Sequence, residues 1–436
     1  TLHPLGLPHG PQPGKIEESL GAKETFEYAV MIDTFAPLGA TKNVKETIDE
    51  KYYLSWLDWW VVKFVDFISM IKIPEYIQKL SPYKPGNKLK SGKKQKNILD
   101  FINLASNENP LGASPKAIEA LKETAKYLSV YPDVGATELI SNLSEMLGKP
   151  ENNIIAGSGS DAIIGDIIKA FSDYGDDILT AEETFIGYFV NILKLGRNLI
   201  KAPMNDHKYD LEAITNSITP KTRIIFLSNP NNPSGSMFFK DEFHWFLKQV
   251  PKDILIVYDE AYSIYAGLYD GYPNGLDYEQ ENLIVIRTFS KSHGLAGIRI
   301  GFAFGPENLI STLYKVKLPF EPNSIAQKVA LAALSDYDFI FQTIKLNTIS
   351  LEKMTNLFDE LKVNYVKPYA NFVMILFENQ DLAINFVDKC YENGILVRHL
   401  PPFGVPNGVR ISTGTHTQMD YSLNVFKKLL GKKWNF

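Results

Sequence analysis

TFSKSHGLAGIR, at residues 288–299, is the most informative stretch of the 436-residue chain. It follows an apolar run and places Lys291 among hydroxyls and glycines, eight residues before Arg299. Because burial disfavours the charged form of a lysine, its pKa falls and the neutral amine can attack an aldehyde. Arg299 and the hydroxyls of Thr288 and Ser290 could then hold the phosphate of an aldehyde cofactor. Taken alone, the stretch fits a surface lysine in a turn-rich loop equally well.

The composition indicates a globular protein whose ligands are small molecules. Apolar residues make up 45% of the chain and charged residues 22%, and the length allows two or three domains. The net charge of −5 argues against a nucleic-acid or anionic-membrane partner, because either needs a concentrated basic surface. The single cysteine, Cys390, excludes an intramolecular disulfide, and the histidines show no metal-ligand spacing, so we predict no metal site. These features, without a signal-peptide pattern, favour a cytoplasmic location.

Residues 1–76 are predicted to form an N-terminal extension. Within it, residues 52–73 carry aromatic side chains on a rough helical period with one narrow polar stripe. The run is long enough to cross a bilayer, but charged residues such as Asp58 and Lys63 would each cost about 2.5–3.5 kcal/mol near its centre. We therefore predict a helix buried against the rest of the chain or a partner subunit, with an interfacial membrane helix as the alternative.

After an N-terminal arm at residues 77–110, short apolar runs alternate with helical patterns. Runs of this kind, bounded by turn residues, are typical of strands covered on both faces by helices. The sequence therefore predicts an α/β fold, with a three-layer, mainly parallel sheet in a large domain at 111–326 and a smaller α+β domain at 327–436. The runs predicted as strands of the large sheet are 153–156, 177–180, 223–227, 254–258 and 283–286, and those of the small domain are 371–377, 395–400 and 409–413.

Polar residues follow the carboxyl ends of these strands, where ligands bind in open α/β sheets. Ser160 and Asp161 end a Gly/Ser turn before a helical pattern, where free amides bind phosphate or where either side chain caps the helix. Asn232 lies in a turn rich in proline that could aim its amide inward. Asp259 and Tyr262 follow the fourth run. A buried aspartate could keep a pyridine nitrogen protonated, although a helix-start carboxylate is the simpler interpretation.

Together, these segments resemble the fold-type I aminotransferases that use pyridoxal phosphate, over about residues 77–430. Lys291 lies 32 residues after Asp259 (291 − 259), and Asp259 lies 27 after Asn232 (259 − 232), much as in that family. The most similar branch is that of the histidinol-phosphate aminotransferases, which act in histidine biosynthesis. The motifs that carry this resemblance are PYKPG at 82–86, NENPLG at 107–112, YPD at 131–133, PF at 319–320 with Asn323, ANF at 370–372, VR at 397–398 and VRISTGT at 409–415.

The resemblance implies a contact for each part of the cofactor. Lys291 would form a Schiff base with the aldehyde, and Asp259 would pair with the pyridine nitrogen. Asn232 and Tyr262 would contact the phenolic oxygen, and Phe185 would stack on the ring. The residues implied to hold the phosphate are Ser160, Asp161, Thr288, Ser290 and Arg299, joined by Tyr131 from the second subunit of a homodimer.

The resemblance also implies the substrates. Arg410 matches a clamp for a substrate carboxylate, whereas Arg398 and Tyr83 match residues that favour the phosphate of histidinol phosphate. Asn109, in a neighbouring motif, is assigned to the same substrate site. The implied reaction is a ping-pong transamination with glutamate and 2-oxoglutarate, in which Lys291 moves the Cα proton.

Two alternatives use the same residues. A pyridoxal-phosphate-dependent decarboxylase or a cyclase of an amino-acid derivative is the main one, because sequence does not reveal which Cα bond is broken. A cofactor-sensing domain of a transcription regulator is the other, but residues 1–76 contain no basic recognition helix. Ala162 and His293 depart from the family pattern, where an acidic and an aromatic residue are usual, and either could alter the substrate pocket.

Overall fold

The structure is a computed structural model that describes residues 73–80 and 101–431. The predicted extension up to residue 72, most of the predicted arm, and Tyr83 lie outside the described residues. The chain divides into two units at Pro74, and the elements below belong to the second, Glu75–Phe436. Within the two described segments, none of the helices is both long enough and apolar enough to cross a bilayer.

Helices and strands alternate through most of this unit. The described α-helices are α1 (Glu75–Gln78), α2 (Pro115–Thr124), α3 (Thr137–Leu147), α4 (Ser160–Phe171), α5 (Ile186–Lys194), α6 (Leu211–Asn216), α7 (Lys240–Gln249), α8 (Ser263–Ala266), α9 (Glu307–Val316), α10 (Ser324–Leu334), α11 (Tyr337–Leu361), α12 (Gln380–Glu392) and α13 (His416–Leu430). The described strands are β1 (Ile102–Asn103), β2 (Ile154–Gly157), β3 (Asp177–Ala181), β4 (Asn198–Ala202), β5 (Met204–Asn205), β6 (Lys208–Tyr209), β7 (Thr222–Ser228), β8 (Leu255–Asp259), β9 (Leu283–Thr288), β10 (Gly301–Phe304), β11 (Asn364–Val366), β12 (Phe372–Leu376), β13 (Ile395–Leu396), β14 (Arg398–His399) and β15 (Gly408–Ser412).

The large sheet has seven strands in the order β2-β10-β9-β8-β7-β3-β4. Neighbouring strands are parallel except at β10, which runs antiparallel to both β2 and β9. Each of the five apolar runs predicted as strands of this sheet lies in β2, β3, β7, β8 or β9. The predicted α/β class with a mainly parallel sheet is therefore confirmed.

Helices cover both faces of the large sheet. Successive strand residues point to opposite faces, so Tyr258 packs in one core with Phe243 of α7, while Val257 packs in another with Ile164 of α4. Burying an aromatic or aliphatic side chain of this size contributes about 1.5–3 kcal/mol, and we expect Phe243→Ala to cost about 3–5 kcal/mol because it also leaves a cavity. Val329 of α10 belongs to the same core as Tyr258.

A second sheet lies later in the chain. It is antiparallel, with strand order β11-β12-β15-β14, and its core includes side chains from α11, α12 and α13. The prediction of one strand at 395–400 was wrong. Residues 395–396 pair with β1 and residues 398–399 with β15, so the chain changes partner at Val397 and the strand is interrupted there.

The topology collects the functional candidates at one edge of the large sheet. The parallel strands end on the same side, and Ser228, the last residue of β7, lies beside Asp259, the last residue of β8. The antiparallel β10 starts at this edge, because Gly301 pairs with Gly157 on one side and with Thr288 on the other. The residues that follow β2, β7, β8 and β9 therefore share one cleft edge, as in other open α/β sheets.

Candidate active site

An anion site forms at the N-terminus of α4. The Arg299 guanidinium lies against Gly159, where an added Cβ would come within 2.5 Å of Nη2. A Cβ on Gly301 would lie 2.7 Å from the Ser160 nitrogen, so both glycines are needed for this close packing. Arg299 also donates a hydrogen bond from Nη1 to Ser290 Oγ at 3.4 Å. Free helix amides and a guanidinium in one place form a binding site for phosphate.

Two other residues predicted for the phosphate lie at the same place with different contacts. Thr288 ends β9, and its Oγ1 accepts a hydrogen bond from the Ser290 nitrogen at 3.1 Å. The Asp161 side chain accepts a hydrogen bond from Asn191 at 2.9 Å. Because its carboxylate is held by Asn191, Asp161 contributes to the N-terminus of α4 through its backbone amide.

Asp259 is a buried carboxylate with defined partners. Its Oδ2 accepts a hydrogen bond from the Tyr188 hydroxyl at 2.7 Å, and its Oδ1 accepts one from the Ala261 nitrogen at 3.0 Å. Burial raises the pKa of Asp259 to about 6, against the lowering effect of the Tyr188 hydrogen bond. Burial likewise raises the pKa of Tyr188, which therefore remains a protonated donor. The carboxylate is thus oriented and is ionised above about pH 6.

Sequence reasoning did not identify Tyr188. The sequence signal for Tyr188 was its position, three residues after Phe185, which was predicted to stack on the cofactor ring. Phe185 directly precedes α5, and Tyr188 lies in the first turn of that helix. The two rings meet edge to face at 5.4 Å and 90°. Gly187 makes this arrangement possible, because a Cβ there would lie 2.3 Å from the Phe185 ring.

Lys291 and Tyr262 lie together beside these groups. The lysine Nζ is 5.9 Å from the centre of the Tyr262 ring. Burial, assisted by the positive charge of Arg410, lowers the pKa of Lys291 to about 8. Burial raises the pKa of Tyr262, whose hydroxyl accepts a hydrogen bond from Asn107 Nδ2 at 2.9 Å. The site therefore holds a nucleophilic amine close to a protonated phenol.

Arg410 links the second sheet to the turn after β7. It is 5% exposed, and it donates hydrogen bonds to Asn232 Oδ1 and, at 2.9 Å, to the Ala105 carbonyl. Arg398 is its direct cross-strand partner. Both guanidinium groups lie over the ring of Phe403, at 5.6 Å for Arg398 and 5.7 Å for Arg410. Two cations therefore lie against one aromatic ring.

The remaining candidates have partners within the chain. Tyr131 is 77% exposed, and its ring stacks on Phe320 at 4.4 Å. Asn109 Nδ2 donates to the Ser292 carbonyl at 2.8 Å and to Thr343 Oγ1 at 3.0 Å, which engages both of its hydrogens. His293 packs on a neighbouring phenylalanine, and burial lowers its pKa to about 4, so its ring is neutral.

The fold and this strand-end cluster define a class of enzyme. The chain belongs to the aminotransferase class I and II family, whose sequence profile matches residues 100–426. It is a pyridoxal-phosphate-dependent transaminase. Its relatives include histidinol-phosphate aminotransferase 2 of Hydrogenovibrio crunogenus, 36% identical over 358 residues, which are 81% of this chain and 95% of the relative. Another is the histidinol-phosphate aminotransferase of Caldicellulosiruptor saccharolyticus, 38% identical over 82% of this chain and 99% of the relative.

Solved structures share the fold. The histidinol-phosphate aminotransferase from Sinorhizobium meliloti, in complex with pyridoxal-5'-phosphate, superimposes with a TM-score of 0.75 at 24% identity, over 83% of this chain and 98% of that one. An aspartate aminotransferase from Thermus thermophilus with maleate gives 0.69 at 20% identity, over 83% of this chain and all of that one.

The groups present fit pyridoxal phosphate. The glycine-lined cradle at Gly159 and Gly301, which any Cβ would fill, suits a phosphate beside Arg299. Asp259 suits the ring nitrogen, because its carboxylate is buried and oriented. Lys291 suits the aldehyde, because its lowered pKa makes the neutral amine accessible near neutral pH.

Proposed function

We propose that this transaminase transfers the amino group of histidinol phosphate to 2-oxoglutarate, which yields a phosphorylated ketone and glutamate, by a reversible ping-pong reaction. The curated relatives that support this are 34–38% identical to the chain. The structural observation that carries it is the cross-strand pair Arg398 and Arg410. Like charges directly opposite each other on neighbouring strands are unfavourable, and an anionic substrate between or beside them offsets that repulsion.

The two arginines differ in burial and in what holds them. Arg410 is buried and anchored to Asn232, so its planar guanidinium presents a fixed fork to the carboxylate of glutamate or to the phosphate of histidinol phosphate. Arg398 is only partly buried and lies over the same Phe403 ring, and it suits the phosphate of histidinol phosphate. The two half-reactions would therefore share one site. Tyr83 would add to the phosphate contact, and Asn109 would shape the substrate side by holding the Ser292 carbonyl.

Each cofactor-binding residue has a proposed partner. Arg299 would hold the phosphate, and Asn232 and Tyr262 the phenolic oxygen, with Phe185 against the ring. The further residues proposed for the phosphate are Ser160, Asp161, Thr288 and Ser290. When bound, pyridoxal phosphate supplies an electron sink that stabilises negative charge at the substrate Cα.

Two residues of the chain move or hold protons. Lys291, with its lowered pKa, removes the proton from the substrate Cα and later returns one. Asp259 holds the proton on the ring nitrogen, and Tyr188 orients its carboxylate. Without the hydrogen bond from Tyr188, the pKa of the buried Asp259 carboxylate would be higher, and the group would stay protonated up to a higher pH.

A homodimer is part of this proposal. Tyr131 is assigned to the partner's phosphate site, and in the single chain it is exposed within an apolar surface, here named the 127–134 patch. The exposed members of this patch and its neighbours are Tyr127, Leu128, Val130, Tyr131, Val134, Leu318 and Phe320. An exposed apolar area of this kind marks an interaction site, and a second copy would cover it.

Domain organisation and location complete the proposal. The predicted boundary at 326/327 falls inside α10, whose apolar side chains pack in the core of the large sheet. We therefore place the start of the small domain after Leu334. We propose a cytoplasmic location because the sequence has a single cysteine, Cys390, and so forms no intramolecular disulfide.

A steady-state comparison of amino compounds tests the function. With 2-oxoglutarate as acceptor, we expect kcat/KM for histidinol phosphate to exceed that for histidinol at least tenfold, about 1.4 kcal/mol, because only the phosphate engages Arg398. Glutamate formation and the phosphorylated ketone would be measured together by mass spectrometry. Equal rates with and without the phosphate, or carbon dioxide released from an amino-acid substrate, would overturn the assignment.

A further inference from the structure

Asn107 occupies a constrained position between the substrate clamp and Tyr262. It is 1% exposed, and its φ of 54° lies in the left-handed region, which asparagine tolerates better than most residues. On one side it contacts Ser412, two residues after Arg410 on β15. On the other it contacts the Tyr262 hydroxyl.

The hydrogen bonds fix which end of the Asn107 amide faces Tyr262. The Asn107 backbone nitrogen donates to Ser412 Oγ at 2.9 Å, so the serine hydroxyl is left to donate its own proton. That proton goes to Asn107 Oδ1, also at 2.9 Å. With Oδ1 accepting from Ser412, the amide nitrogen Nδ2 lies on the other side and donates to Tyr262 Oη at 2.9 Å.

This arrangement determines what Tyr262 can do. A phenol has one proton to donate, and its oxygen accepts from Asn107. Since Nδ2 has no lone pair to accept a hydrogen bond, the Tyr262 proton is directed to another acceptor. Burial keeps the phenol protonated, because it raises the pKa of Tyr262. The amine of Lys291 lies over the same ring, so the hydroxyl belongs to the reacting side of the cleft.

We propose that Asn107 is a positioning residue that directs the Tyr262 hydroxyl proton towards the phenolic oxygen of bound pyridoxal phosphate. The inference rests on the proposed function, in which Tyr262 meets that oxygen. It adds a connection to the substrate side, because Ser412 orients Asn107 from the strand that carries Arg410. Asn371 secures the same segment by donating to the Asn107 carbonyl at 3.2 Å.

Asn107→Asp reverses the direction of the hydrogen bond between residue 107 and the Tyr262 hydroxyl, with little change in the shape of the side chain. Aspartate also tolerates the left-handed backbone, but it replaces the Nδ2 donor with an acceptor, which would take the Tyr262 proton. The phenolic oxygen then loses a donor that stabilises its negative charge. We expect the pH midpoint of the visible absorption change of the resting holoenzyme to rise by roughly one unit, a tenfold shift in the proton equilibrium.

A double-mutant comparison separates this effect from simple addition of charge. Tyr262→Phe removes the hydroxyl and should itself raise the midpoint. In that background Asn107→Asp should add little, because there is no proton left to redirect. An unchanged midpoint in Asn107→Asp, or a shift of the same size with and without the hydroxyl, would overturn the inference.

Two further measurements make the outcome decisive. If Asn107→Asp does not fold, Asn107→Gly keeps the backbone conformation while removing the amide, and it should raise the midpoint by a smaller amount. Cofactor content of the wild type is measured first. A wild type that carries no pyridoxal phosphate would overturn the proposed function and this inference with it, whereas a normal cofactor content with an unshifted midpoint in the folded variants overturns the inference alone.

Discussion

Arg398 and Arg410 are direct cross-strand partners, and both of their guanidinium groups lie over the ring of Phe403. The pairing places two positive charges side by side on adjacent strands. Arg410 is fixed by Asn232 and the Ala105 carbonyl, while Arg398 is less buried. In the proposed function, this difference makes Arg410 the rigid clamp and Arg398 the contact that selects among substrates.

Arg398→Ala should therefore change substrate preference. We expect kcat/KM for histidinol phosphate to fall at least tenfold, about 1.4 kcal/mol of transition-state binding, with a smaller loss for glutamate. Arg223→Ala is a matched control, because that side chain is 41% exposed and lies at the start of β7, away from the site. Equal losses for both substrates in Arg398→Ala would show that the residue does not discriminate.

Arg410→Lys should reduce activity with every anionic substrate. A lysine keeps the charge but cannot reproduce the planar fork that also donates to Asn232. We expect kcat/KM to fall at least tenfold for both glutamate and histidinol phosphate, measured by the same steady-state assay. Retention of full activity with either substrate would remove Arg410 from the common clamp.

Tyr188→Phe should move the acidic limb of the activity profile to higher pH. The tyrosine donates to the Asp259 carboxylate, and losing that donor raises the pKa of Asp259, which is proposed to hold the ring proton in its ionised form. Activity would then be lost at a higher pH as the solution is acidified. Tyr209→Phe is the control, because it is another buried tyrosine, whose hydroxyl donates to Thr184 at 2.7 Å. Superimposable profiles for Tyr188→Phe and the wild type would contradict this prediction.

The pKa of Lys291 predicts how apoenzyme takes up cofactor. Since burial lowers this pKa to about 8, the amine is protonated below that pH, and the rate of covalent attachment should fall about tenfold per pH unit there. Above it the rate should level off. Arg410→Gln should move this transition to higher pH, because the charge of Arg410 contributes to the lowering. Lys291→Ala should show no attachment that borohydride can trap, and trapped cofactor in that variant would place the bond on another residue.

The 127–134 patch predicts a surface variant that separates the subunits. Leu318→Asp introduces a charge into apolar surface that is 59% exposed in the single chain. We expect a lower sedimentation coefficient and weaker retention of pyridoxal phosphate, because Tyr131 is proposed to complete the partner's site. Ile384→Asp, on α12, is the control and should leave both properties unchanged. A fully active monomer would contradict the homodimer.

The sequence predicted the strands of the large sheet where both faces are covered. β4 was not identified because it is an edge strand with only Ala202 fully buried, and β10 because it has four residues beginning with a glycine. The predicted strand at 395–400 was wrong because neighbouring pairs of residues join different sheets, which periodicity does not reveal.

Residue types at strand ends predicted which side chains come together at this edge of the sheet, but not the contacts that support them. Asn107 and Tyr262 are 155 positions apart, and Tyr188 and Asp259 are 71 apart. Such hydrogen bonds depend on how layers pack, and no local pattern encodes them. The left-handed backbone of Asn107 is likewise a consequence of the contacts on both of its sides.

A single-turnover half-reaction tests the central claim most directly. Holoenzyme is mixed with an excess of histidinol phosphate in the absence of any oxo acid, and cofactor absorbance and products are followed together. The account predicts full conversion of bound pyridoxal phosphate to pyridoxamine phosphate, one phosphorylated ketone per site, and recovery of the original spectrum when 2-oxoglutarate is added. No conversion by histidinol phosphate at a concentration where another amine converts the enzyme completely would contradict it.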